Sequence, residues 1–173
     1  MFINTKSYVL GDKLKAKLLS QGGFGVIQPQ GDVPANLLIE SHGHMFENYS
    51  LVRNHLENER AHRNCVELWI KSPEVKNICT GFALAANGFW IRHSWLIGSN
   101  KKIVETTQLQ QKYFGFEIRN DDQANGLIEF IKVVYQIPEV RDPLIAQALE
   151  KIKRVTPIST IPRHVSRAKR PSI

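Results

Sequence analysis

The chain has 173 residues, 42% of them hydrophobic, with 11 Gly, 8 Pro and 2 Cys. That composition suits one globular domain, with or without a tail, and excludes a wholly disordered, collagenous or low-complexity chain. Two cysteines are too few for a disulfide scaffold, and a chain this long buries about 70% of its unfolded surface without covalent staples, so both are read as thiols.

The net charge of +7 is concentrated at one end. Lys151, Lys153, Arg154, Arg163, Arg167, Lys169 and Arg170 fall in residues 151–173 with no acidic residue, while the other 150 residues hold 16 basic and 16 acidic side chains. A neutral body gives no support for a basic nucleic-acid groove. The end segment also carries Pro157, Pro162 and Pro171 among Ser and Thr. Residues 156–173 therefore read as a flexible basic tail on a single domain spanning 1–155, either simply solvated or able to dock on an anionic partner. Polar residues interrupt the opening segment, and no stretch of 18 apolar residues occurs. The expectation is a chain without a transmembrane segment, cytoplasmic, or exported as an effector by a route that reads another address.

In chain order, Ser7–Leu10 reads as a strand and Lys13–Ser20 as a short helix. Gln21-Gly-Gly-Phe-Gly25 lacks the Lys-Ser/Thr of a P-loop and the third glycine of a dinucleotide fingerprint, so it reads as a turn. Phe46, Tyr49, Val52 and Leu56 recur at three and four residues and predict an amphipathic helix over 45–60. Asn64 and Glu67 have capping-box spacing, which predicts a helix from Cys65 to about Ser72, where Pro73 stops it. Strand-like runs follow at 78–84, 89–97 and 102–107, joined by Ala85-Ala-Asn-Gly88 and Gly98-Ser-Asn100, which are strong hairpin signals. A fourth short strand is expected at 113–118. C-terminal helices are expected from Asn120 or Asp121 and from Asp142-Pro143. The fold class is thus α+β, an antiparallel meander packed against a helix.

Cys65, at the predicted helix start, would sit by unsatisfied N–H groups and the positive end of the dipole, a setting that favours thiolate. In Phe89–Ile97, alternation puts His93 on one face with Phe89, Ile91, Trp95 and Ile97. A three-residue loop at 98–100 pairs Ile97 with Lys101 and sets Glu105 opposite His93 on that face. A carboxylate there needs a partner, and the imidazole supplies one, giving an oriented base of the kind that activates a thiol. The apolar face around His93 is the expected seat for Val66 and Trp69 of the Cys65 helix.

The succession Cys65, Gly81-Phe82-Ala83, His93-Ser94-Trp95, Glu105-Thr106-Thr107 and Tyr113-Phe114-Gly115 resembles the core of the papain-like Cys–His–acid superfamily, and is similar in layout to its small bacterial and phage members of NlpC and transglutaminase-like type. The resemblance covers about 55 residues. It implies a nucleophile Cys65, a general base and acid His93 and an orienting Glu105, acting on a protein or peptide amide bond without a cofactor. For the oxyanion it points to the Cys65 backbone N–H, with Asn64, Asn58 or Asn54 as side-chain alternatives. His42 and His44 lack the second Cys/His pair of a zinc site, so no metal is expected. Cys79 reads as a packed thiol. The competing expectation is a non-catalytic binding protein that works through its basic tail.

Overall fold

The computed structural model describes residues 11–27, 33–54, 56, 60–119, 143, 146–148, 150 and 151. The expected strand at 7–10, the first C-terminal helix and the tail from 156 lie outside the described residues. Residues 143, 146–148, 150 and 151 are helical, within the second expected C-terminal helix.

Helix α1, Asp12–Ser20, buries Leu14 and Leu18, one turn apart, with Asp12 in its first turn and Lys17 in its last, the polarity that the helix dipole favours. The glycine-rich stretch after it is a turn, with Gly22 and Gly23 at φ 108° and 92°. Strand β1, Gly25–Ile27, and helix α2, Val33–His42, come next. Gly43 closes α2: its N–H bonds to the Ile39 carbonyl at 2.9 Å, and a Cβ there would lie 2.3 Å from that oxygen.

Among the described residues, the helix expected over 45–60 does not form. Strands β2, His44–Met45, and β3, Ser50–Arg53, stand in that region, separated by a bend at Asn48, which has φ 60°. The three-residue spacing of Phe46 and Tyr49 reflects a loop instead. Their rings pack 5.5 Å apart, and Phe46 meets Trp95 edge-on at 5.1 Å. Covering the Trp95 side of the sheet outweighs local helical periodicity, a tertiary override of pattern.

Helix α3 spans Ala61–Lys71 and so begins four residues before the expected start. No capping box forms: the Asn64 N–H joins the helical ladder to the Arg60 carbonyl at 2.8 Å, and Glu67 accepts from Lys71 at 2.5 Å. Extending the helix upstream completes a stripe of His62, Cys65, Val66 and Trp69 at the spacing of one buried face. Ser72, extended before Pro73, ends it as expected.

Strands β4 (Val75–Leu84), β5 (Phe89–Gly98), β6 (Lys102–Glu105) and β7 (Lys112–Glu117) match the expected runs closely. β4, β5 and β6 form the expected antiparallel meander. β7 returns beside β4, and the sheet reads β2-β7-β4-β5-β6-β3, with β1 also on β5. The segment β7-β4-β5-β6 thus has Greek-key order. β3 lies parallel to β6 and β1 parallel to β5; the other pairings are antiparallel.

Alternation divides the core in two. Val66 and Trp69 join Leu14, Leu18, Ile39, Ile78, Phe82, Trp90 and Leu96 on one face, under the helices. Cys79, Ala83, Trp95, Ile97, Ile103 and Tyr113 form the other cluster, closed by Phe46. The helix face therefore packs on the even-numbered side of β5, and not on the His93 side that the sequence suggested. Trp90 is fully buried there and donates to the Gly22 carbonyl at 2.7 Å.

Candidate active site

Residues 89–91 of β5 pair with β1, and residues 96–98 pair with β6 on the same edge. Between them, Arg92–Trp95 has no strand on that edge among the described residues. After Val104 opposite Leu96, the chain of β6 diverges, and Glu105, Thr106 and Thr107 settle beside this gap. An interruption of this kind is where a sheet can present side chains to something other than a neighbouring strand.

The hairpin loop is Ser99–Lys101, because Gly98 pairs with Lys102 and Ile97 with Ile103. The register is thus two residues from the expected one. Asn100 and Lys101 take φ 58° and 53°, which tightens the turn. A shift of two preserves the face, so Glu105 stays on the His93 side and is reached diagonally. His93 Nε2 donates to Glu105 Oε2 at 2.8 Å, and both side chains are buried, 3% and 0% exposed.

Glu105 is held at both oxygens. Oε1 accepts from the Thr107 N–H and Oγ1, each at 3.0 Å, and Oε2 also accepts from the Tyr113 hydroxyl at 2.9 Å. Burial pushes this carboxyl up, but the His93 bond and charge, with the bonds from Thr107 and Tyr113, outweigh it and hold the group below its ordinary range. Tyr113 is driven the other way, by burial and then by the Glu105 charge. With the carboxylate on Nε2–H, the neutral ring keeps its lone pair on Nδ1. Sequence reasoning placed Thr107 and Tyr113 within motifs but assigned them no role. The signal was there: a buried carboxylate needs more donors than one imidazole provides.

Cys65 is fully buried. Its sulfur bonds to the Thr106 hydroxyl at 3.7 Å, and among the described residues no hydrogen bond joins it to His93. Sulfur and carboxylate thus approach through adjacent residues, Thr106 and Glu105, while Cys65 packs with the α3 cluster. As the fifth residue of α3, it lies past the orphan N–H groups, and its own N–H is committed to the helical ladder. The expected helix-start thiolate and the Cys65 oxyanion donor are therefore not in place. Burial and then Glu105 push the thiol well up, against a smaller opposing effect of the Thr106 bond. The thiol is protonated at neutral pH.

Of the side-chain alternatives for the oxyanion, Asn64 is 5% exposed and lines a cavity of about 260 Å³ with Leu56, Arg60, Arg63 and Glu67. Asn54 lines a separate cavity of about 600 Å³ shared by β3, β6 and the end of α3, and its backbone N–H donates to the Glu105 carbonyl. Asn58 lies outside the described residues. The smaller cavity comes nearest the sulfur along the chain: Leu56 donates its N–H to the carbonyl of Thr106, the residue that bonds the thiol. Cys79 is enclosed beside Trp95, with burial pushing its thiol up as well. His44 stacks on Phe46 at 4.6 Å, and His42 meets Phe116 edge-on at 6.3 Å.

The arrangement brings together an oriented imidazole and a doubly anchored carboxylate on one side of β5, with a neutral thiol on the α3 side bonded to Thr106, the residue after Glu105. No family model, no curated protein and no solved structure matches the chain, so the chemistry is argued from these side chains alone.

Proposed function

We propose that the chain is a cysteine-dependent hydrolase or acyltransferase of protein or peptide amide bonds, with Cys65 as nucleophile, His93 as general base and acid, and Glu105 as orienting group. The observation that carries this is the buried 2.8 Å bond from His93 Nε2 to Glu105, whose oxygens are also held by Thr107 and Tyr113. An enclosed carboxylate so arranged fixes one tautomer and leaves Nδ1 as the basic nitrogen of the ring.

Because the thiol is neutral, His93 acts in general-base mode. Nδ1 takes the Sγ proton as sulfur adds to the carbonyl carbon, and the imidazolium returns it to the departing nitrogen as the C–N bond breaks. Water or an amine then adds to the thioester, with its proton passing to Nδ1, and releases the acyl product together with Cys65. Water gives hydrolysis or deamidation, and an amine gives transamidation.

The test is alkylation by iodoacetamide at pH 7.5, read at each thiol by peptide mass spectrometry. Cys65 is expected to label faster than Cys79, with the difference lost in His93→Ala. Equal slow labelling in the unaltered protein overturns the proposal. One observation favours a second reading, a non-catalytic binding protein: the complete enclosure of Cys65 with its thiol pushed up, the usual condition of a packed cysteine.

A further inference from the structure

A second buried imidazole stands on the other side of β5. His62 is 4% exposed and lies on the buried stripe of α3, three residues before Cys65. Its Nδ1 meets the Ser94 hydroxyl at 2.6 Å. Ser94, itself fully buried, donates to Thr80 Oγ1 at 3.2 Å. Thr80 also accepts from Arg92 Nη1 at 2.8 Å, and the same nitrogen donates to the Gly81 carbonyl at 2.7 Å. This chain of bonds fastens α3 to β5 and β4 at the gap in the sheet.

We propose that His62 is an acid-released latch: protonation of its imidazole undocks the segment of α3 that carries Cys65 and opens that thiol to solvent. The idea deepens the proposed function, as regulation of the same site, and rests on that reading only for its consequence; the release itself is a property of the helix–sheet contact.

The geometry explains why the ring accepts a proton poorly while docked. Because Ser94 donates its proton to Thr80, it accepts from Nδ1–H, a link the ring makes with or without a second proton, and the burial of the ring is what opposes that second proton. Arg92 and His93 on β5 both oppose a new positive charge on this ring; α3 places the Cys65 thiol on the same buried stripe, and β4 offers the Thr80 hydroxyl through Ser94. Glu105, beyond Thr106, is already committed to His93, Thr107 and Tyr113.

Burial first, then Arg92 and His93, hold His62 well below its ordinary value of 6.5. In the undocked helix it returns to about 6.5, so undocking binds a proton that the docked state refuses. The latch holds fully above that value. Below it, release gains about tenfold per pH unit until the docked ring itself titrates.

The experiment measures labelling of both thiols in the full chain by 4,4′-dithiodipyridine between pH 7.5 and 5.5, each rate divided by that of N-acetylcysteine at the same pH. The corrected Cys65 rate is expected to rise about fivefold from pH 6.5 to 5.5, with Cys79 remaining the slower thiol. His62→Phe is expected to abolish the rise. Should that variant fail to fold, Ser94→Ala serves in its place and is expected to raise the corrected Cys65 rate at pH 7.5. A flat Cys65 profile, equal exposure of both thiols, or a slope that persists in His62→Phe overturns the latch. So does a Ser94→Ala rate no higher than that of the unaltered chain. The proposed chemistry is judged separately, by the effect of His93→Ala at pH 7.5, so either idea can fail alone.

Discussion

Glu105 is the side chain on which the polar interior converges. It is fully buried and receives four hydrogen bonds, from His93, Tyr113 and both the backbone and hydroxyl of Thr107. Because its folded carboxyl titrates below the ordinary 4.5, its contribution is complete above that value and is withdrawn as the pH falls through the lower folded value. Glu105→Gln keeps the shape but loses the charge that three donor residues address. We expect a cost of about 1–3 kcal/mol at pH 7, and a melting temperature that declines less than that of the unaltered protein below pH 4.5. Thermal melts from pH 7 to 3 check both. A decline of the same steepness in the two proteins would place the acid sensitivity elsewhere.

At the scale of elements, two glycines of the sequence motifs have a steric explanation. Gly81 and Gly115 sit opposite each other in the β4–β7 ladder. A Cβ on Gly81 would lie 2.1 Å from the Phe114 carbonyl oxygen, and one on Gly115 would lie 2.2 Å from that of Thr80. Backbone does not yield as a flexible side chain does. Gly81→Ala is therefore expected to cost at least about 1–3 kcal/mol, lowering the melting temperature by about 2–4 °C per kcal/mol. Gly98→Ala is the control, because the nearest atom to its added carbon is Val104 Cγ2 at an ordinary 3.5 Å. Calorimetry on the two variants separates close approach from a general intolerance of side chains.

The same scale shows what the sequence disclosed. The β4–β5 hairpin, α1, the end of α3 at Pro73 and the shared face of His93 and Glu105 were legible, because turn chemistry and alternation are local. The false helix over 45–60, the true start of α3, the two-residue slip in the β5–β6 loop and the return of β7 to β4 were not. All but the slip depend on a partner distant along the chain: Trp95 for Phe46, Ser94 for His62, and Gly81 for Gly115. Side chains that hold the candidate site were hidden for that reason, since Thr106 and Tyr113 gain meaning only once Cys65 and Glu105 are seen next to them.

For the whole molecule, charge and fold make separate contributions. Residues 1–150 are electrically balanced, and the excess of seven positive charges belongs to residues 151–173. Lys151, the first of them, donates to the Trp69 carbonyl and lies 4.6 Å from the centre of that ring, a cation–π contact that fastens the start of this segment to α3. Any attraction to polyanions should reside in the basic residues beyond Lys151. Deleting residues 156–173, which removes four of the seven basic residues of this end, is expected to abolish salt-sensitive retention on heparin. Retention that survives deletion would assign the attraction to the body.

The parallel pairing of β1 with β5 and of β3 with β6 also bears on how the molecule comes into being. On a ribosome the amino end emerges first, yet Gly25 waits for Phe89 and Ser50 waits for Lys102 before either acquires a neighbour. Until then Leu14, Leu18 and Ile39, which end fully buried, have no sheet to cover them. Non-local pairings of this kind make for slow closure and a sticky nascent chain. The β4–β5 hairpin, whose strands are joined by a tight turn, is the natural template on which that waiting segment condenses.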